Sequence, residues 1–171
     1  MYQRILVPFD GSPTSVCGLD EAIRLAALTH ASLRLVHMLD DLLYVTGFET
    51  YAAYAGDVIP FMRDAGEKIL QQGRARAEKA GVSVETLLLE GVAPRLSDLV
   101  ADQVKAWKAD LIVIGTHGRR GVGRLLLGSD AEQIVRAATV PVLLVRAPET
   151  SDAVTPPASV RTLADRTVVP A

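Results

Sequence analysis

Cysteine occurs once, at Cys17, so no disulfide can form within the chain and Cys-rich zinc sites are excluded. The lone thiol reads as structural and reduced. Aromatic residues make up only 5% of a chain that is 49% hydrophobic, so the interior must be built from Val, Leu, Ile and Ala. Neither sign of charge is in large excess. Eighteen Lys and Arg against 20 Asp and Glu leave a net charge of −2, and the isoelectric point is near 5.9. Nothing global therefore favours nucleic acid or an anionic membrane, and neither is expected as a partner. No apolar run reaches the length of a membrane span. The start, MYQRILVPFD, lacks the basic region, apolar run and cleavage site of a signal peptide, so a cytoplasmic protein is expected.

What is present is a regular alternation. At 171 residues the chain suits one domain, which at roughly 150 residues can bury about 70% of its unfolded surface. Arg4 to Phe9 reads as a buried strand ended by Asp10-Gly11. Ser12 then stands as N-cap and Pro13 at the first position of a helix that runs to about Thr29 on Val16, Leu19, Ile23 and Ala26. Ser32 to Met38 is a second strand. Leu39 to Asp57 shows no clear period and reads as a loop or ragged helix start. From Val58 to Ala80 a helix is predicted whose Gly66, Ile69, Gly73, Ala77 and Ala80 form a small-residue face, with Gly81 as its stop.

Val82 to Leu89 is a third strand, and Pro94 opens a helix with Leu96, Leu99, Val100, Val104 and Trp107 on one face. Leu111 to Ile114 is a fourth strand. Ala131, Ile134, Val135 and Ala138 mark a last helix, and Val140 to Val145 a fifth strand. Such βα alternation predicts an α/β fold of parallel strands with helices on both faces. From Ala147 the composition turns to Pro, Thr, Ser and Ala without an apolar period. The division expected is a domain over 1–146 and a tail over 147–171.

Between the fourth strand and the last helix lies GTHGRRGVGRLLLGS, Gly115 to Ser129. Glycine lets backbone approach a ligand closely, and the free N–H groups of a helix start attract an anion, so this turn is a candidate phosphate site. Two familiar phosphate motifs are excluded by spacing. Gly118 and Gly123 stand as a P-loop's glycines would, but Arg124 and Leu125 occupy the places of its Lys and Ser/Thr. Gly121 and Gly123 begin like a dinucleotide fingerprint, yet Leu126 takes the third glycine's place and the turn follows the fourth strand, not the first.

What remains is Gly115, Gly118, Gly128 and Ser129 in a G-x2-G-x9-G-S arrangement. Together with V-P-F-D ending the first strand, L-V-H-M ending the second, G-S-x-A-E and the closing P-V-L-L-V-R, it makes the chain resemble the universal stress protein family across Met1 to Arg146. The resemblance implies a Rossmann-like open five-stranded parallel sheet in the order 3-2-1-4-5. In that order the first and fourth strands are neighbours whose connections leave in opposite directions, opening a crevice at their carboxyl ends, where Asp10 and Gly115 stand.

The resemblance further implies an ATP site, with Mg2+ accompanying the phosphates. Pro8 and Asp10 would border adenine and ribose, Met38 would meet the adenine through its backbone, and Ile114 would pack on the base. Gly115, Gly118, Gly128 and Ser129 would wrap the phosphates and ribose, with Arg119 and Arg120 as lesser sources of charge. Structural alternatives stand beside these roles. Asp10 could form an Asx turn before Gly11. Ser129 with Glu132 three residues on makes a capping box. His37 and His117 read as a packed strand histidine and a loop donor, and His30 as a surface residue.

Asp130, also counted with the site, departs from the small or apolar residue often found there in nucleotide-binding members of the family. Its charge about 6 Å from a phosphate would repel by roughly 3 kcal/mol at an effective dielectric near 20, although it also favours the helix dipole. No nucleophile–base pair, metal-ligand cluster or Walker lysine accompanies the glycines, so at most slow ATP hydrolysis is expected. Two functions follow: a nucleotide-binding stress-response module, or an interaction module of the same family without nucleotide. The apolar strand Val140–Val145 would lie at the sheet's edge, where an uncovered strand invites pairing, and a homodimer through it is expected in either case.

Overall fold

The computed structural model describes residues 1–39, 48–89, 95–116 and 128–146. The chain alternates β1 (Arg4–Pro8), α1 (Pro13–Thr29), β2 (Ser32–Met38), α2 (Phe48–Lys79), β3 (Val84–Leu89), α3 (Leu96–Trp107), β4 (Leu111–Thr116), α4 (Ser129–Ala137) and β5 (Val142–Arg146). The five strands form one sheet in the order β3-β2-β1-β4-β5, and every pairing is parallel.

Strand alternation divides the core into two clusters, one on each face. Ile5, Val7, Leu33, Leu35 and Val113 pack with Leu19, Ala22 and Ile23 of α1 and Leu70 and Ala77 of α2. Leu6, Val36, Ile112 and Ile114 point the other way, against Val100 and Val104 of α3 and Ala131 and Ile134 of α4. Helices thus cover both faces, as the unbroken apolar character of the central strands demands.

Helix ends follow their chemistry. Ser12 caps α1, its hydroxyl accepting from the Ser15 N–H, with Pro13 following. Gly81, at φ +74°, closes α2. There the Gly81 N–H donates to Glu78 O and the Val82 N–H to Ala77 O, the paired bonds of a Schellman motif. Val82 is thereby tied back to the helix, and β3 begins at Val84 instead of the expected Val82.

Other boundaries moved for similar local reasons. β1 ends at Pro8, though the Phe9 N–H still donates to Val36 O at 2.9 Å. Of the Leu39–Asp57 stretch, 48–57 is helical, because α2 continues upstream through Pro60. A proline removes one ladder bond without forbidding the turns on either side. Residues 40–47 lie outside the described residues, as do Pro94, expected to open α3, and the tail after Arg146. In the expected small-residue face of α2, a Cβ on Gly66 would meet Leu88 at 2.8 Å and one on Gly73 would meet Leu35 at 2.7 Å, so the glycines allow the helix to lie close on β2 and β3.

Strand β4 extends to Thr116, beyond the expected Ile114, with Gly115 opposite Val145 and Thr116 opposite Arg146. β5 is displaced in the same direction from the expected Val140–Val145. Val135, expected on the inner face of α4, is 40% exposed, whereas Ala131 and Ile134 of that helix are buried. Among the described residues no helix is long and apolar enough to cross a membrane.

Candidate functional site

The carboxyl ends of β1 and β4 lie side by side at the point where the chain leaves the sheet toward opposite faces, α1 on one and α4 on the other. A crevice of about 320 Å³ opens there. Its walls bring together Pro8, Asp10, Met38, Ile114, Gly115, Gly128, Ser129 and Asp130, the eight expected site residues that fall among the described ones. Gly118, the ninth, lies outside the described residues with Arg119, Arg120 and His117.

Asp10 is fixed by the turn in which it sits. Its Oδ1 accepts from the Ser12 N–H at 2.9 Å, so the Asx turn offered as an alternative role is formed. Burial works to raise its pKa, but hydrogen bonds from the Ser12 and Ser15 side chains and from backbone N–H groups outweigh it and hold the carboxyl below its ordinary value. The carboxylate also lines the crevice, so turn formation does not withdraw it from the site.

Across the crevice, α4 begins one residue earlier than a Ser129 cap would require. Gly128 is the N-cap, its carbonyl accepting from the Glu132 N–H at 2.9 Å, and no side chain caps the helix. The expected capping box therefore does not form. Ser129 is already the first helical residue, and the Glu132 carboxylate instead accepts from Arg136 at 2.8 Å. The wall contributed by Gly128, Ser129 and Asp130 is thus the uncapped start of a helix, a place where N–H groups can meet an anion.

His37 is the packed strand histidine of the alternative reading. Its Nδ1–H donates to Phe9 O at 2.8 Å, holding the carboxyl end of β2 to that of β1. His30 is exposed and forms the left-handed end of α1 at φ 57°.

The sequence reading gave Ser12 only as a helix cap and passed over Thr14 and Ser15, yet all three line the same crevice at the start of α1. Ser12 and Thr14 share a hydroxyl contact at 3.0 Å, and the Ser15 hydroxyl donates to Ser12 O at 3.0 Å. The signal was available: three hydroxyls within four residues directly after Asp10. Thr116, Leu96 and Ile134 were also missed, the last two because their helical faces read only as core. Among the described lining residues the charged side chains are both carboxylates, Asp10 and Asp130. No three His, Cys, Asp or Glu among the described residues group to hold a metal ion.

Comparison with known proteins agrees with this architecture. The sequence model of the Universal stress protein family matches residues 1–146. Universal stress protein MJ0531 of Methanocaldococcus jannaschii is 32% identical over 164 residues, covering 87% of this chain and 85% of its own. A crystal structure of a universal stress protein in complex with cAMP is 28% identical, with a TM-score of 0.56, and the match covers 86% of this chain and 98% of that one. A solved structure of the protein MJ0577 shares the fold at a TM-score of 0.71 and 21% identity, covering 88% of this chain and 99% of its own.

Proposed function

The chain belongs to the universal stress protein family, and from that premise we propose that it is a cytoplasmic adenine-nucleotide-binding module that acts as a homodimer. The crevice at the junction of β1 and β4 carries this reading. Two segments distant in sequence, Asp10 with its hydroxyl-rich turn and Gly128 to Asp130 at an uncapped helix start, converge on one cavity. Such a cavity suits a ligand with an apolar ring, a hydroxylated sugar and an anionic end.

In this reading Ile114 and Met38 border the base, and Pro8 and Asp10 border base and ribose. Ile114 is buried and belongs to the cluster between the sheet and α3, so it offers an apolar surface at the crevice floor. Asp10 is an acceptor for ribose hydroxyls, already held in place by the Ser12 N–H. The N–H groups of Ser129 and its neighbours, with Gly115 and Gly118, face the phosphates. A universal stress protein of 28% identity that was crystallised with cAMP supports an adenine nucleotide as the ligand class. ATP, with Mg2+ on its phosphates, falls within that class. The module responds to nucleotide by binding it, with at most slow hydrolysis of ATP.

Nucleotide that binds only the folded state raises its stability by about 2.7 kcal/mol at one hundred times the dissociation constant. For a domain of this size that is a rise of roughly 5–10 °C in melting temperature. The measurement is thermal unfolding with and without millimolar AMP, cAMP or Mg2+-ATP. No rise with any of them would refute the nucleotide reading and leave the interaction module, for which the exposed Leu143 and Leu144 of β5 are the supporting observation.

A further inference from the structure

We infer that Asp130 makes this crevice select nucleotides by phosphate charge, favouring a monophosphate over a metal-free triphosphate. The inference rests on the nucleotide reading above and adds to it a specificity-determining residue.

The uncapped start of α4 offers an anion about half a positive charge. Asp130, the second residue of that helix, lines the crevice and is exposed, and it places a full negative charge in the same turn. Glu132, the other acid of that turn, is paired with Arg136 at 2.8 Å and does not line the crevice. The Asp10 carboxylate lines the same cavity and is held ionised by its turn. Among the described residues that line the crevice, Asp10 and Asp130 thus put two carboxylates on one cavity.

A first phosphate can use the helix N–H groups and tolerate one adjacent carboxylate. A triphosphate brings roughly twice the charge of a monophosphate to the same wall, and each added charge is repelled. Mg2+ carried in by ATP cancels part of that charge, so this charge selection predicts that ATP binding depends on the metal and AMP binding does not.

Isothermal titration of the full chain with AMP and with ATP, each with and without Mg2+, tests the inference. The parent is expected to bind AMP about tenfold more tightly than metal-free ATP. Asp130→Asn should bring the two within about twofold, and Asp130→Ser should do the same if asparagine disturbs the helix start. Raising the salt should narrow the parent's ratio, because exposed charges are screened over about 10 Å at 0.1 M. Glu132→Gln should leave the ratio where it was. AMP binding with the same AMP-to-ATP ratio in the parent and Asp130→Asn, or an equal change in Glu132→Gln, would overturn the inference alone. Failure of the parent to bind either nucleotide would overturn the nucleotide reading and this inference with it.

Discussion

Gly115 and Thr14 approach so closely that a Cβ on the glycine would lie 1.8 Å from the Thr14 carbonyl oxygen. One turn further along α1, a Cβ on Gly18 would lie 2.6 Å from the Gly115 backbone nitrogen. Backbone stands on both sides of this contact, so neither partner can swing away as a side chain could. The missing side chains seat the first turn of α1 directly on β4. That seating places Ser12, Thr14 and Ser15 at the crevice, opposite the start of α4.

Gly115 and Gly128 therefore differ in kind, and alanine separates them. Gly115→Ala must displace α1 and should cost about 1–3 kcal/mol or more in urea denaturation, the range of overpacking. At Gly128 a Cβ would meet nothing within 4 Å, and its φ of −56° suits any residue. Gly128→Ala should stay within about 1 kcal/mol of the parent, the cost of a poorer N-cap, while weakening AMP binding several-fold by filling the crevice wall. A Gly115→Ala protein as stable as the parent would contradict the packing account.

The same contrast shows where the sequence was readable. Ser12-Pro13 marked the start of α1 and Gly81 the end of α2, because capping chemistry is local. The regular βα alternation foretold two covered faces. Ser129 misled because a Ser-x-x-Glu spacing is equally compatible with a helix starting one residue earlier, and only the Gly128 O to Glu132 N–H bond decides. Gly115 reads in sequence like the first glycine of a ligand loop. Its place inside β4 is set by Thr14, about a hundred residues away, which no local pattern records. Asp10 and Ser129 could be brought to one cavity from sequence only through a strand order that a family resemblance supplied.

Asp10 predicts an acid dependence with a definite sign. Its pKa is lower in the folded chain than the ordinary 3.8, so it stabilises the fold fully above that value. The contribution fades as pH falls through the lowered value, where the folded state too takes up the proton. Asp10→Asn should flatten the loss of stability as the pH falls below 3.8, measured by urea denaturation at each pH, relative to the parent. A parent and variant with superimposable profiles would remove Asp10 from the acid transition.

Asp110 holds the N-terminal segment to the start of β4. Its Oδ2 accepts from the Gln3 N–H at 2.7 Å and its Oδ1 from the Arg4 N–H at 3.0 Å, while its own N–H donates to Arg4 O at 3.0 Å. Asp110→Ala leaves two backbone donors without their carboxylate and should cost about 1–2 kcal/mol. Asp110→Asn, which keeps one acceptor oxygen, should cost less. Hydrogen exchange should quicken at Gln3 and Arg4 in the alanine variant, and unaltered exchange there would show that solvent replaces the carboxylate at no cost.

The edge of the sheet carries the prediction about assembly. β5 pairs with β4 on one side, and among the described residues no strand follows it in the sheet order, so β5 is an edge strand of the kind that invites pairing. Leu143 and Leu144, on opposite faces of that strand, are each 37% exposed, more than large aliphatic residues in the body of this sheet. A second copy pairing along the same strand would cover both features at once, and a twofold arrangement lets one surface serve as its own partner. Light scattering at micromolar concentration should give the mass of a dimer. Leu143→Lys combined with Leu144→Lys places two charges per protomer in that contact and should yield a monomer with an unaltered far-ultraviolet circular dichroism spectrum. A parent that is monomeric at that concentration would refute the edge-strand dimer, and a double variant that remains dimeric would move the interface elsewhere on the surface.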